Sequence, residues 1–431
     1  MKNIIAAFTL LALALNSFAQ DVNKLIQQSD VERVIKTLAS DDMRGRATFT
    51  PDIDRAAQFI ESEYKQIGLK PFPGDEGFRQ NFSMTRVTPV KTLVEINGKL
   101  IPADSAFASS TATTLNWSNN ADVQVVKLAA GKDFRTEYRS YRSSGKNMLI
   151  LVDPAFTAFF NRIRDAISKG AVSNNLSDKG LVFVLGNHDN LKSFAVNYTA
   201  KAEQLPLFNV AGIIPGKTKP NEYVVFSGHY DHLGILKPVK GDSIANGADD
   251  DASGTTAVIE LARYFKNLHN NVRTLVFVAF TAEEIGEYGS QHFATTIDPD
   301  KVTAMFNIEM IGKASKFGEN SAFITGFERS DFGPILQKNL EGTPFKFYPD
   351  PYPDQDLFYR SDNASLAAVG VPAHTISTDQ IDIDKLYHTV KDEVSTLDMS
   401  NITATIRAIA LSSQTIISGK DTPKRVPKLQ H

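Results

Sequence analysis

Cysteine is absent from this chain of 431 residues. Without a thiol there is no disulfide, no zinc–thiolate site, no thiol nucleophile and no cysteine to carry a lipid. No run or stripe of basic residues marks a nucleic-acid footprint, and the net formal charge of -3 selects no partner. Long apolar runs are missing beyond the N-terminus, so no membrane span is expected in the mature chain. With 42% hydrophobic residues the chain can still bury one large core or two domains without disulfides.

The N-terminus reads MKNIIAAFTLLALALNSFAQ. Lys2 supplies a positive region, Ile4 to Leu15 is apolar but short for a membrane span, and Ser17-Phe18-Ala19 fits a small-x-small cleavage site. This pattern predicts a signal peptide over 1–19. The expected product is an exported bacterial protein, periplasmic or secreted, beginning near Gln20.

Apolar spacing predicts helices over 22–38 and 52–67, the second stopped by Gly68. Over 85–205 the character changes. Short β-like runs at 92–96, 123–128, 147–152 and 180–185 alternate with polar loops and one helix over 155–169. This segment reads as a smaller β-rich inserted domain, which splits the main domain into 20–84 and 206–420. From 208 onward the pattern is α/β, with strands at 223–226, 273–280, 305–310, 321–324 and 373–377. A helix is expected over 255–266 and another over 396–417. Runs of Val, Ile and Phe between helices predict a mixed, mostly parallel central sheet with helices on both faces. The segment 421–431 reads as a flexible tail.

Against that frame stand five side chains that together can hold two divalent ions: His229, Asp250, Glu284, Glu309 and His388. A sixth, Glu283, is suited to moving protons. In Ser227-Gly-His-Tyr-Asp231 the residues i and i+2 of an extended chain point the same way, so Asp231 can hold the His229 imidazole. In Asn246-Gly-Ala-Asp-Asp-Asp-Ala-Ser-Gly254 three successive carboxylates are electrostatically poor without a cation. An Asp there can bridge two metals through its two oxygens, while small residues let the backbone approach. Glu283 and Glu284 follow a buried strand and point differently, so one can bind metal while the other sits over a metal-bound water. Glu309, read as lying inside an apolar strand, needs a counter-charge. His388 lies beside Tyr387. His232, His292 and His374 read as structural or rim residues.

The set SGHYDHLG, NGADDDASG, TAEEIGEYGS, NIEMIG and YHT resembles the M28 family of zinc aminopeptidases, over about 20–85 and 205–420. The middle segment resembles, through 147–152, 180–185 and Lys169-Gly170-Ala171, the protease-associated domain that many members carry. The resemblance implies two Zn²⁺ ions, or another divalent metal. It makes His229 and Glu309 ligands of one ion, Glu284 and His388 ligands of the other, and Asp250 the bridge. Glu283 resembles the general base, and Tyr387 a residue that stabilises the oxyanion. A cis Asp250–Asp251 peptide is also implied. Glu309 stands where many members have Asp, Asp251 where Asn is common, Asn363 where His is frequent and Val390 where Pro is frequent.

The implied reaction is hydrolysis of N-terminal residues from peptides with a free amine, through a metal-bridging hydroxide. Alternatives are a single-zinc glutaminyl cyclase, a carboxypeptidase, or a non-catalytic binding protein on the same scaffold. Preferred N-terminal residue, native metal and oligomeric state are not legible.

Overall fold

The computed structural model describes residues 22–119 and 122–429. The expected signal peptide, 1–19, lies outside the described residues. The chain forms two compact units. One comprises the described residues through Phe82 and those from Leu207 onward; the other comprises Ser83–Pro206.

The first unit is built on a mixed sheet. Its strands run in the order Lys346–Pro349, Ser321–Ile324, Ala373–Ser377, Val302–Ile308, Lys219–His229, Arg273–Phe280 and Phe194–Ile214, the last contributing its C-terminal part. Parallel pairing dominates the centre, while the strand ending at Ile214 runs antiparallel to Arg273–Phe280, and Ser321–Ile324 antiparallel to Ala373–Ser377.

Alternation along each strand divides the core in two. Val224, Phe226, Leu275, Phe277 and Phe306 face one layer with the helices Gln28–Leu38, Pro51–Ile67, Gly254–Leu268 and Met399–Ser412. Val225, Val276, Val278, Phe280 and Met305 face the other, with Phe293 of Tyr288–Thr296 and Leu366 of Asn363–Ala368. Both faces are therefore dry, which is why these strands read as continuous apolar runs. The expected α/β class, with helices on both faces, is borne out.

The central strand Lys219–His229 is flanked on both sides by parallel partners, so all three C-terminal ends lie along one edge. His229 pairs with Phe280, and Ser227 with Asn307. That register brings Glu283, Glu284 and Glu309 to the level of His229, at the edge where open α/β sheets form their sites.

Several expectations need correction. The strand ends at Ile308, so Glu309 stands just beyond it rather than inside it, with its N–H donating to the Ile376 carbonyl. The predicted helix over 22–38 is broken, and Gln28–Leu38 is a separate helix. The tail was expected to be flexible, yet 421–429 packs on the first unit. Val426 is buried, and Arg425 donates to the Val302 carbonyl. The Lys424 and Leu429 amides donate to Asp331 and to the Ala368 carbonyl. Backbone pairing of this kind has no signature in a short Lys- and Pro-containing segment.

The second unit holds a four-stranded sheet in the order Ala106–Ser110, Gly180–Leu185, Asn147–Val152, Val123–Leu128. One face packs Phe107, Ile150 and Phe183 against the helices Phe134–Ser143 and Thr157–Ile167. The other packs Leu149, Val182 and Val184 with Trp117 and Tyr198. No helix among the described residues is long and apolar enough to cross a membrane.

Candidate metal centre

His229 ends the central strand, fully buried, and its Nδ1 lies 3.1 Å from the Asp231 carbonyl oxygen. That contact leaves Nε2 facing away from the strand. The Asp231 carboxylate is 3.7 Å from the same Nδ1, and its main work is elsewhere. It accepts the N–H groups of Glu283 at 3.1 Å and Glu284 at 3.4 Å. Asp231 thus ties the turn after one strand to the end of its neighbour.

The three consecutive aspartates have three different jobs. Asp249 accepts the Gly312 N–H at 2.7 Å and pairs with Lys313 at 3.1 Å. Asp251 accepts N–H groups from Gly254, Met310 and His229 at 2.9, 3.1 and 3.2 Å. Asp250 alone turns to the histidines. Its Oδ1 is 3.1 Å from His229 Nε2 and its Oδ2 is 3.3 Å from His388 Nε2. The Asp250–Asp251 peptide is cis. Gly254 is obligatory here, because a Cβ would collide with the Ile308 carbonyl and the Asp251 carboxylate.

Glu284 Oε2 lies 3.0 Å from His388 Nε2, and its Oε1 lies 2.6 Å from His232 Nδ1. His232, read from sequence as structural or rim, is fully buried against this carboxylate, with ligand-type atoms of His232, Asp250 and Glu284 within 4.8 Å of one another. The Tyr387 ring stacks on His388 at 3.8 Å between centroids. Glu283 Oε2 is 4.0 Å from His229 Nε2. Glu309 accepts from the Ser361 hydroxyl, and Asn307 Nδ2 lies 3.5 Å away. All six residues singled out in sequence, with Tyr387 and Asp231, meet at one edge of the sheet.

The electrostatics separate the carboxyl groups. Burial pushes Glu283 well above the usual range, with Glu309 and Asp362 adding repulsion against the pull of His229. Burial also raises Glu309, to about 7. Asp250 is buried as deeply, yet the His229 and His388 imidazoles beside it hold it well below. Burial opposes charge on His388 too, but Asp250 and Glu284 raise it to about 10.

Ligand atoms on one tetrahedral zinc, bound at about 2.0–2.1 Å, stand roughly 3.3 Å apart. The contacts of 3.0, 3.1 and 3.3 Å among Asp250, Glu284, His229 and His388 match that spacing. His229 Nε2 and Asp250 Oδ2 are buried polar atoms with no hydrogen-bond partner, which a cation would satisfy. The residues fit divalent metal.

Two supporting residues were not singled out from the sequence. Arg46 is fully buried, and its guanidinium donates to the carbonyls of Leu38, Tyr230, Asn246 and Gly247 at 2.6–3.0 Å. It clamps the strand end carrying His229 to the loop carrying Asp250. A lone Arg in a loop has no periodicity to betray it. Asp392 accepts the N–H groups of Asp249 and Asp250. Its place four residues after His388 was the available hint.

The architecture is that of metal-dependent aminopeptidases. An aminopeptidase from Aneurinibacillus sp. strain AM-1 superposes with TM-score 0.54 at 19% identity, covering 95% of this chain and 97% of the other. BSAP, a zinc aminopeptidase from Bacillus subtilis, gives 0.55 at 15%, covering 91% and 95%. Residues 209–412 match Peptidase family M28, and this stretch is an M28 domain. The resemblance read from the five motifs is thereby borne out. A probable zinc metalloprotease of Pyrenophora teres f. teres is 37% identical over 107 residues, 24% of this chain and 23% of its own length. Leucine aminopeptidase 1 of Ajellomyces capsulatus is 29% identical over 209 residues, 45% of this chain and 52% of its own. The chain thus matches from a quarter to half of the length of these relatives.

Proposed function

We propose that this protein is an exported zinc-dependent aminopeptidase that removes N-terminal residues from peptides and holds two zinc ions. One observation carries the reading: the Asp250 carboxylate offers one oxygen to each of two imidazoles, His229 and His388. His229, Asp250 and Glu309 would hold one ion, and Asp250, Glu284 and His388 the other. When bound, the metals acidify the attacking water and polarise the scissile carbonyl.

The remaining work falls to the chain. Glu283, with its side chain 12% exposed, is reachable from solvent and not consumed in an ion pair closer than 4.0 Å. Its carboxylate takes a proton from the attacking water and returns it to the departing amine. Glu309 and Glu283 together make an acidic end that receives the substrate's α-ammonium. Tyr387, stacked on His388, would offer its hydroxyl to the developing oxyanion. Export is supported by the pattern of residues 1–19 alone.

The test uses the zinc-loaded full chain on leucyl-p-nitroanilide and on its N-acetyl counterpart, with metal counted by elemental analysis. Cleavage of the free amine only, with about two zinc ions per chain, is expected. Equal rates on both substrates, or no zinc bound, overturns the reading.

A further inference from the structure

A cavity opens beside the centre, bounded there by Glu309 and Tyr387. A peptide with its amine at Glu309 directs its first side chain into this space. Met310, Phe323 and Ile381 give it apolar walls, suited to a methylene stem. Two charged residues also line it away from the centre, Asp379 and Arg360. Asp379 is only 4% exposed, and its Oδ1 accepts no hydrogen bond among the described residues.

Asp379 belongs to a cluster that lacks positive charge. Oxygens of Asp249, Asp379 and Asp384 lie within 4.8 Å of one another. The single ammonium nearby, Lys313 Nζ, pairs with Asp384 at 2.6 Å and Asp249 at 3.1 Å. Three carboxylates therefore share one cation, and Asp379 has none. Asp379 has only another carboxyl group, Asp384, to share a hydrogen bond with, and an ammonium or guanidinium at the end of a flexible stem would supply the missing counter-charge. The exposed Arg360 guanidinium is turned to Gln355, at 3.2 Å from its side-chain oxygen.

We infer that this cavity selects a basic first residue, lysine or arginine, with Asp379 as the carboxylate that receives the side-chain cation. The inference rests on the aminopeptidase reading and adds the substrate class to it. Burial, with Asp249 and Asp384 close by, raises the Asp379 carboxyl to about 8. The proton that it then holds is what a substrate cation would displace.

The test compares lysyl- and norleucyl-p-nitroanilide, which share a four-carbon stem and differ in the terminal ammonium. With the zinc-loaded full chain, kcat/KM should favour lysyl on the order of tenfold to a hundredfold. In D379N the ratio should fall to about one or below, since the amide carries no charge. Norleucyl cleaved as well as lysyl by the unaltered chain overturns the inference and leaves the aminopeptidase reading standing. Cleavage of neither overturns both. Should D379N not fold, D379S gives the same ratio test, and a retained lysyl preference in a folded variant removes Asp379 from the role.

Discussion

At the scale of single residues, chemistry here depends on which oxygen faces which nitrogen. Glu283 and Glu284 are neighbours in sequence and burial pushes both carboxyl groups up, but two imidazoles hold Glu284 down while Glu283 stays raised. We expect E283Q to retain zinc, measured by elemental analysis, while kcat falls by about two to four orders of magnitude. Retained turnover in that variant would remove Glu283 from its role. His232 presses on the oxygen of Glu284 that does not face His388, so it fixes the carboxylate's rotation. H232A should weaken zinc binding roughly 10- to 100-fold in a chelator competition, as loss of an outer partner does. Unchanged affinity would make His232 mere packing. The ligand types were legible in the motifs. His232 was not, because an imidazole three residues after His229 reads the same whether it faces the ligands or the rim.

At the scale of elements, the helix Gly254–Leu268 links the site to the core. Its N-terminal glycine lets Asp251 and the strand ending at Ile308 close in, and its face packs into the larger core layer. It also carries a liability. Glu260 is fully buried, and burial raises its carboxyl to about 7 despite Arg263 at 3.4 Å. The folded state thus binds this proton more tightly than the unfolded state does. The stabilising contribution is complete at low pH and is lost as pH rises from about 4.5 through 7. E260Q cannot ionise and should escape that loss. Between pH 4.5 and 8 its unfolding free energy in urea should gain roughly 3 kcal/mol on the unaltered chain. A constant difference across that range would contradict the assignment. The helix itself was visible in Val258, Leu261, Ala262 and Phe265. The ionisation of Glu260 was not, since its burial depends on what packs over it.

At the scale of the whole molecule, metal and stability should be linked. The centre gathers Asp250, Glu283, Glu284 and Glu309 at one sheet edge, and cations bind that arrangement far better than they bind an unfolded chain. Zinc at a hundredfold excess over its dissociation constant should stabilise by about 2.7 kcal/mol, and chelation should remove this. Melting by circular dichroism with zinc and with chelator measures it; identical midpoints would mean that these residues bind no zinc.

Sequence by itself determined the class of sheet, the residue types that gather at the centre and the family, because alternation and motif spacing are local properties of the chain. It could not determine that Arg46 clamps two loops, that 421–429 lies packed, that His232 joins Glu284, or that Asp379 lines the cavity beside Tyr387. Those facts belong to residues far apart in the chain. Only tertiary packing decides which buried polar atom finds a partner and which is left for a ligand.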